Sequence, residues 1–173
     1  THGGTMDNKV VLINESPFIK FYYKDEELPL PNLLPSDKIN DFAWSHDGKY
    51  LILAHNSPPF FISTYKCFGD KFLKMPNPMI SVGTSSLCCK FSPCNTYLIV
   101  GHEKAPFLSF YKHRRDLNSL YRLTNPFFMP KGAVRKIEYS NDGQYVTITQ
   151  DAEPTIFTYK ITGETYIKLD KDK

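Results

Sequence analysis

A fourteen-residue pattern occurs three times in this chain, and it limits the possible folds more than any other feature. Residues 42–55 (FAWSHDGKYLILAH), 89–102 (CKFSPCNTYLIVGH) and 137–150 (IEYSNDGQYVTITQ) align without gaps. Ser45, Ser92 and Ser140 mark steps of 47 and 48 residues. A period of this length indicates a fold built from stacked copies of one supersecondary unit.

The pattern predicts that each unit is four short antiparallel strands. Asp47-Gly48, Asp142-Gly143 and Pro93-Cys94-Asn95 supply residues that suit the turn between the first two strands. The second strand is mostly apolar, which indicates burial on both faces. A proline-bearing loop then leads to a third strand ending in Tyr-Lys, and the fourth segment alternates like a peripheral strand.

The N-terminal stretch carries a shortened copy of the unit. Val10–Ile13, 17–22 and 27–32 match the second, third and fourth strands, so we count fifteen strands and one incomplete unit. We exclude Thr1–Thr5 from the fold as an appended segment. The predicted organisation is a single domain over 6–173, with a partial unit at 9–34 and full units at 38–78, 86–126 and 133–169.

Residues 91–102 and 106–112 resemble the WD40-like repeats of β-propellers, most closely the variant with a Phe-Ser-Pro-Asp-Gly-x-Tyr-Leu core in phage tail and virion-associated proteins. The resemblance implies an all-β propeller of about 3.5 to 4 four-stranded blades per chain. Tyr-Lys stands where the Trp-Asp of a typical repeat is expected, so we do not expect that family's Asp-His-Ser-Trp hydrogen-bond set.

Closure of the propeller is left open by the sequence. An incomplete blade exposes unpaired backbone groups, which propellers usually avoid by completing the ring. One hypothesis is a homodimer that shares a seven- or eight-bladed ring, and the other is a four-bladed monomer with a defective first blade.

Composition restricts the partners. The 173 residues include 41% hydrophobic residues and 13 prolines, which favours a folded β protein over a helical bundle. The net charge of +3 does not predict nucleic acid as a partner, and no apolar run is long enough to predict a membrane span. We expect synthesis in the cytoplasm, of a phage-infected host if the resemblance holds, with the virion as a second location.

Histidine and cysteine residues are candidates for chemistry, but their positions in the repeat favour structural roles. His55 and His102 share one position, which indicates a hydrogen-bonding role more than metal binding or proton transfer. The four cysteines lack the paired Cys-x-x-Cys spacing of zinc sites, so we interpret them as reduced thiols. They are Cys67, Cys88, Cys89 and Cys94.

Two further segments have an alternative functional interpretation. Residues 112–115 (KHRR) form the densest basic cluster, which indicates a solvated loop more than a phosphate-binding patch. Phe127 and Phe128 lie in a linker, where packing between blades is favoured over a partner anchor.

The chain lacks the linear motifs of common enzymes, such as a Gly-rich phosphate loop, Gly-x-Ser-x-Gly or His-Glu-x-x-His. We therefore expect a non-catalytic interaction or assembly module with a protein partner, no cofactor and no metal. The alternatives are a receptor- or glycan-binding propeller and a phage-encoded inhibitor of a host protein. The predicted contact surface is the interblade loop face, with Asn56, Pro59, Phe60, His102, Glu103, Phe107, Asp151 and Glu153.

Overall fold

A computed structural model describes residues 2–3 and 7–170, which form four antiparallel four-stranded sheets, called blades 1 to 4 here. Blade 1 contains β1 (His2–Gly3), β2 (Asn8–Leu12), β3 (Ile19–Tyr23) and β4 (Glu26–Glu27). Blade 2 contains β5 (Ile39–Trp44), β6 (Tyr50–His55), β7 (Ile62–Phe68) and β8 (Lys71–Lys74). Blade 3 contains β9 (Ser86–Phe91), β10 (Tyr97–His102), β11 (Leu108–Arg114) and β12 (Ser119–Arg122). Blade 4 contains β13 (Val134–Tyr139), β14 (Tyr145–Gln150), β15 (Ile156–Thr162) and β16 (Thr165–Lys168).

The all-β, propeller-like prediction is confirmed, because every sheet is a meander with its strands in chain order. A 3-10 turn at Arg115–Leu117 separates β11 from β12. None of the helical segments among the described residues is long and apolar enough to cross a bilayer.

Blade 1 differs from the predicted three-stranded unit. His2 and Gly3 pair with Val11 and Val10, so this sheet also has four strands. The segment that we excluded as appended contains this first strand, and its other residues lie outside the described ones. The strand has only two residues and pairs through its backbone, so no apolar pattern in the side chains announces it.

The turn between the first two strands of blades 2 and 4 is held by the recurring serine. The Ser45 hydroxyl donates to Asp47 Oδ1 at 2.6 Å and accepts from the Tyr50 backbone N–H at 3.0 Å. Ser140 makes the same two bonds with Asp142 and Tyr145. Gly48, Asn95 and Gly143 take the left-handed conformation that these turns require, with φ of 72°, 66° and 72°.

Three hydrophobic clusters join successive blades. One joins blades 1 and 2 around Phe21 and Leu53, another joins blades 2 and 3 around Ile52 and Leu98, and the last joins blades 3 and 4. The first strands lie side by side at the inner edge, with β5 next to β9 and β9 next to β13. Within the described residues no such cluster joins blade 4 back to blade 1, so the four blades form an open arc.

In blades 2, 3 and 4, a tyrosine of the third strand fixes the blade to the linker that precedes it. The hydroxyls of Tyr65, Tyr111 and Tyr159 donate to the carbonyls of Leu33, Ile80 and Phe128, at 2.7, 2.8 and 2.5 Å. These tyrosines are fully buried. Each therefore couples its blade to the chain that enters it from the neighbouring blade.

Candidate active site on the inner strands

A groove of about 560 Å³ runs across the inner strands of blades 2, 3 and 4, and we call it the inner groove. Equivalent positions of the three repeats line it, so it lies at the centre of the arc, where the first strands converge. These positions are Ala43, Lys90 and Glu138; Trp44, Phe91 and Tyr139; and His46, Pro93 and Asn141, with Phe42 and Ser140 beside them.

Lys90 brings a cation to the wall of the inner groove, and a carboxylate of each neighbouring blade senses its charge. Asp41 of blade 2 accepts a hydrogen bond at 3.2 Å from the backbone N–H of Cys89, the residue that precedes Lys90. Burial raises the pKa of Asp41, against the effect of that bond and of the Lys90 charge. A hydrogen bond from Lys136, and then the Lys136 and Lys90 charges, lower the pKa of Glu138. The Lys90 charge thus lowers the pKa of a carboxylate in each neighbouring blade, although Lys90 forms no ion pair within the described residues and Glu138 pairs with Lys136.

His46 adds an imidazole to the inner groove. It is exposed, whereas His55, His102 and His113 are buried. Its backbone N–H donates to Asn95 Oδ1 at 2.6 Å, which ties the blade 2 turn to the blade 3 turn. Trp44 also lines the groove, and its Nε1 is buried without a hydrogen-bond partner in the described part of the chain. Imidazole, ammonium, indole and carboxylate groups therefore surround one space.

The predicted contact surface lies elsewhere, at the other end of the second strands. Phe60 borders a separate cavity of about 260 Å³ there. Asn56 accepts a hydrogen bond from Asn40, and Asp151 accepts from Arg135. Pro59, Glu103 and Glu153 are exposed, and Phe107 is half-buried. The binding role of this face stays a prediction.

His102 differs from the other residues predicted for that surface because it is completely buried. Its Nδ1 lies 2.9 Å from the Lys104 carbonyl, so Nδ1 carries the proton and Nε2 accepts from the Ser109 hydroxyl at 3.0 Å. A ligand on the loop face has no access to this ring, so we withdraw His102 from the predicted contact surface.

The same position is filled by a hydrogen-bonding side chain in blades 2 and 4. His55 Nδ1 accepts from the Ser57 N–H at 3.0 Å, so its Nε2 donates to Ser63. In blade 4, Gln150 accepts from the backbone of Lys131 and Gly132 and donates to the Pro154 carbonyl. The recurring position therefore secures the loop after the second strand.

The other candidate residues have structural surroundings. Arg115 pairs with Asp47, Arg114 with Asp116 and Lys112 with Glu164, so carboxylates compensate much of the basic cluster. All four cysteines are free. In the described residues, no three His, Cys, Asp or Glu side chains are grouped closely enough to hold a metal.

The two linker phenylalanines have different surroundings. Phe128 packs edge-on against Phe157 with the ring centroids 5.1 Å apart, so it serves the packing of the linker on blade 4. Phe127 is fully exposed. The packing interpretation therefore applies to Phe128 alone.

Sequence reasoning missed the three residues that give the inner groove its chemistry. Lys90 and Glu138 occupy the repeat position of Ala43, and His46 occupies that of Pro93 and Asn141. These three residues stand at positions where the copies differ, whereas His55 and His102 share one position of the repeat. The sequence could have indicated Lys90 and Glu138, because one position of the first strand changes from an apolar residue to a charged one between copies.

No protein-family model matches the sequence, and no curated protein matches it. Solved structures do match. The periplasmic gluconolactonase of Pseudomonas aeruginosa superposes with a TM-score of 0.71 at 15% identity, over 98% of this chain and 55% of that one. A protein assigned as a 6-phosphogluconolactonase, from Bacteroides fragilis, gives 0.67 at 14% identity, over 94% and 47%.

Sqt1 of Saccharomyces cerevisiae gives a TM-score of 0.63 at 7% identity, over 79% of this chain and 35% of that one. This chain thus spans about half or less of the neighbours' length. At these identities the likeness shows the β-propeller fold alone. The neighbours lend no support to the phage link, which stays a prediction from the sequence.

Two predictions about function are contradicted by these neighbours. We expected a non-catalytic interaction or assembly module and no enzyme, whereas the proteins with this arrangement of blades include lactonases. The absence of linear motifs does not argue against an enzyme, because a propeller can assemble a site from single residues of different blades. We withdraw both predictions.

Proposed function

We propose that the inner groove hydrolyses a lactone, the cyclic ester of a sugar acid. The observation that carries the proposal is the placement of His46 and Lys90 around one groove whose walls come from three blades. The groove volume of about 560 Å³ suits a small ligand. Trp44 and Tyr139, both half-buried, add aromatic surface for the apolar side of a sugar ring. Neighbours named as lactonases support the choice of reaction.

In this proposal His46 is the general base and Lys90 stabilises the developing oxyanion. His46 takes a proton from water as the water oxygen bonds to the lactone carbonyl carbon. The carbonyl oxygen gains negative charge, which faces the Lys90 ammonium. The ring C–O bond then breaks, and the leaving oxygen receives the proton from His46, which yields the open hydroxy acid. Asp41 and Glu138 add negative charge near Lys90, although Glu138 itself pairs with Lys136.

The test is acid release from gluconolactone and 6-phosphogluconolactone at constant pH, after subtraction of the spontaneous rate. His46→Gln and Lys90→Gln are each expected to lower kcat about 100-fold. Lys104→Gln is the matched control, because Lys104 is an exposed lysine on the opposite loop face. Wild-type release equal to the spontaneous rate contradicts the proposal, as do variants that hydrolyse like the wild type.

A further inference from the structure

A third cavity, of about 460 Å³, lies at the junction of blades 2 and 3 and shares no lining residue with the inner groove. Its lining comprises Lys49, Tyr50, Lys66, Cys67, Phe68 and Arg115, and we call it the junction cavity. Three of these six residues are cations and none is a carboxylate. The whole chain carries a net charge of only +3, so this is a concentrated positive site.

The cations of the junction cavity are arranged over aromatic rings. The Lys66 ammonium lies 5.0 Å from the Phe68 ring centre and 6.0 Å from that of Tyr50. The Arg115 guanidinium lies 4.7 Å from the Tyr50 ring centre. Contacts of this kind hold a cation in place without neutralising its charge.

Within the described residues, only one of the three cations has an acidic partner. Arg115 pairs with Asp47, and although burial raises the pKa of Asp47, hydrogen bonds from Ser45 and Arg115 lower it to about 2. Lys49 and Lys66 form no ion pair within the described residues. Two positive charges therefore remain available to an anion.

The repeat shows that this arrangement is specific to one junction. Lys66 corresponds to Lys112 and Lys160, but Lys112 is paired with Glu164 at 3.1 Å. Lys49 corresponds to Thr96 and Gln144, which carry no charge. Arg115 lies in the 3-10 turn of blade 3, which blades 2 and 4 replace with shorter connections. Packing of the blades does not require these three cations together.

We propose that the junction cavity binds a phosphate group carried by a small organic molecule. A phosphate monoester presents several acceptor oxygens and up to two negative charges, which suit Lys49 and Lys66, unpaired within the described residues, and the additional N–H donors of Arg115 that line this cavity. The cavity is larger than a phosphate group needs, and Phe68, at 48% exposure, offers apolar surface to an organic substituent. This site is independent of the lactonase proposal, since the two cavities share no residue.

The test is titration of the full chain with inorganic phosphate and with phenyl phosphate at low ionic strength, followed by calorimetry and by amide NMR shifts. We expect saturable binding that shifts the amides of residues 49–50 and 66–68, with phenyl phosphate bound more tightly. Lys49→Gln and Lys66→Gln are each expected to weaken binding about tenfold, the usual effect of one charged hydrogen bond. Added salt is expected to weaken it further.

Matched variants separate binding from folding. Lys49→Gln introduces the residue that blade 4 has at this position, and Lys49→Thr that of blade 3, so both side chains suit the turn. Lys160→Gln, at the blade 4 counterpart of Lys66, is expected to bind like the wild type. Absence of saturable binding, or equal binding by Lys49→Gln and Lys66→Gln, overturns the proposal. Equal affinity for inorganic phosphate and phenyl phosphate would show that the cavity does not bind an organic substituent on the phosphate.

Discussion

One interior position shows how single residues maintain the repeat. His55, His102 and Gln150 end the second strands of blades 2, 3 and 4, and each bonds to the loop that follows. The two histidines do so as opposite tautomers, because one receives a backbone N–H and the other faces a carbonyl. Burial lowers the pKa of both rings to about 4, so they are neutral in the folded protein at pH 7.

These histidines are expected to make stability depend on pH. In the unfolded chain their pKa is near the ordinary 6.5, so the unfolded state binds more protons between pH 6.5 and 4. Their contribution is therefore present above pH 6.5 and is lost as the pH falls through 4. At most it is about 3 kcal/mol for each histidine.

The check is the free energy of unfolding in urea as a function of pH. His102→Gln, which introduces the residue of blade 4, is expected to reduce the slope between pH 4 and 6.5 by about one proton. The double variant with His55→Gln is expected to remove about two. His113, whose pKa burial also lowers to about 4, accounts for part of the remaining slope. An unchanged slope in the double variant contradicts this reading.

At the scale of elements, the tyrosine of the third strand connects neighbouring blades. Tyr22 is the blade 1 counterpart, since it pairs with Lys9 as Tyr65 pairs with Leu51 and Tyr111 with Leu98. Unlike those two, Tyr22 is half-exposed and donates no hydrogen bond to a linker among the described residues. Comparing Tyr111 with Tyr22 therefore measures what the hydrogen bond from tyrosine to linker contributes to stability.

Tyr111→Phe is expected to destabilise the protein by about 1 to 2 kcal/mol, because it leaves the Ile80 carbonyl without its donor. Tyr22→Phe is expected to change the free energy of unfolding by less than about 0.5 kcal/mol. Urea unfolding of both variants measures the difference. Equal losses would mean that the hydroxyl does not couple blade and linker.

The elements were largely predictable, and the inner groove was not. Turn chemistry at Asp47-Gly48 and Asp142-Gly143, together with the apolar second strands, predicted the blades because local sequence determines such turns. A two-residue strand such as His2–Gly3 has no side-chain pattern to detect. The lining of the inner groove could not be predicted from the sequence, because His46, Lys90 and Glu138 are far apart in the chain. They line one space only after the first strands converge.

At the scale of the molecule, the two ends of the arc differ from its interior junctions. On the free face of blade 4, Thr147 and Thr149 replace Ile52 and Ala54 of blade 2, which are fully buried. On the free face of blade 1, Lys9 stands where Leu51 is buried. The end faces are therefore more polar than the junctions between blades.

We propose that a second copy completes the ring through these end faces. The absence of a cluster between blades 4 and 1 among the described residues disfavours the four-bladed closed monomer. Light scattering at high protein concentration is expected to give about twice 19.9 kDa, and dilution is expected to dissociate the dimer because the faces are polar. A mass of 19.9 kDa at every concentration contradicts the shared ring.

The polarity of the end faces also limits how copies can assemble. The two faces are different surfaces, so contact between them is head-to-tail, and such a contact either closes into a ring or continues as a helical filament. Fully apolar end faces would stabilise each added copy, whether the copies close into a ring or continue as a filament. Lysine and threonine at the ends make each addition weak, so only an assembly that closes on itself, with every end satisfied, gains enough contacts to persist.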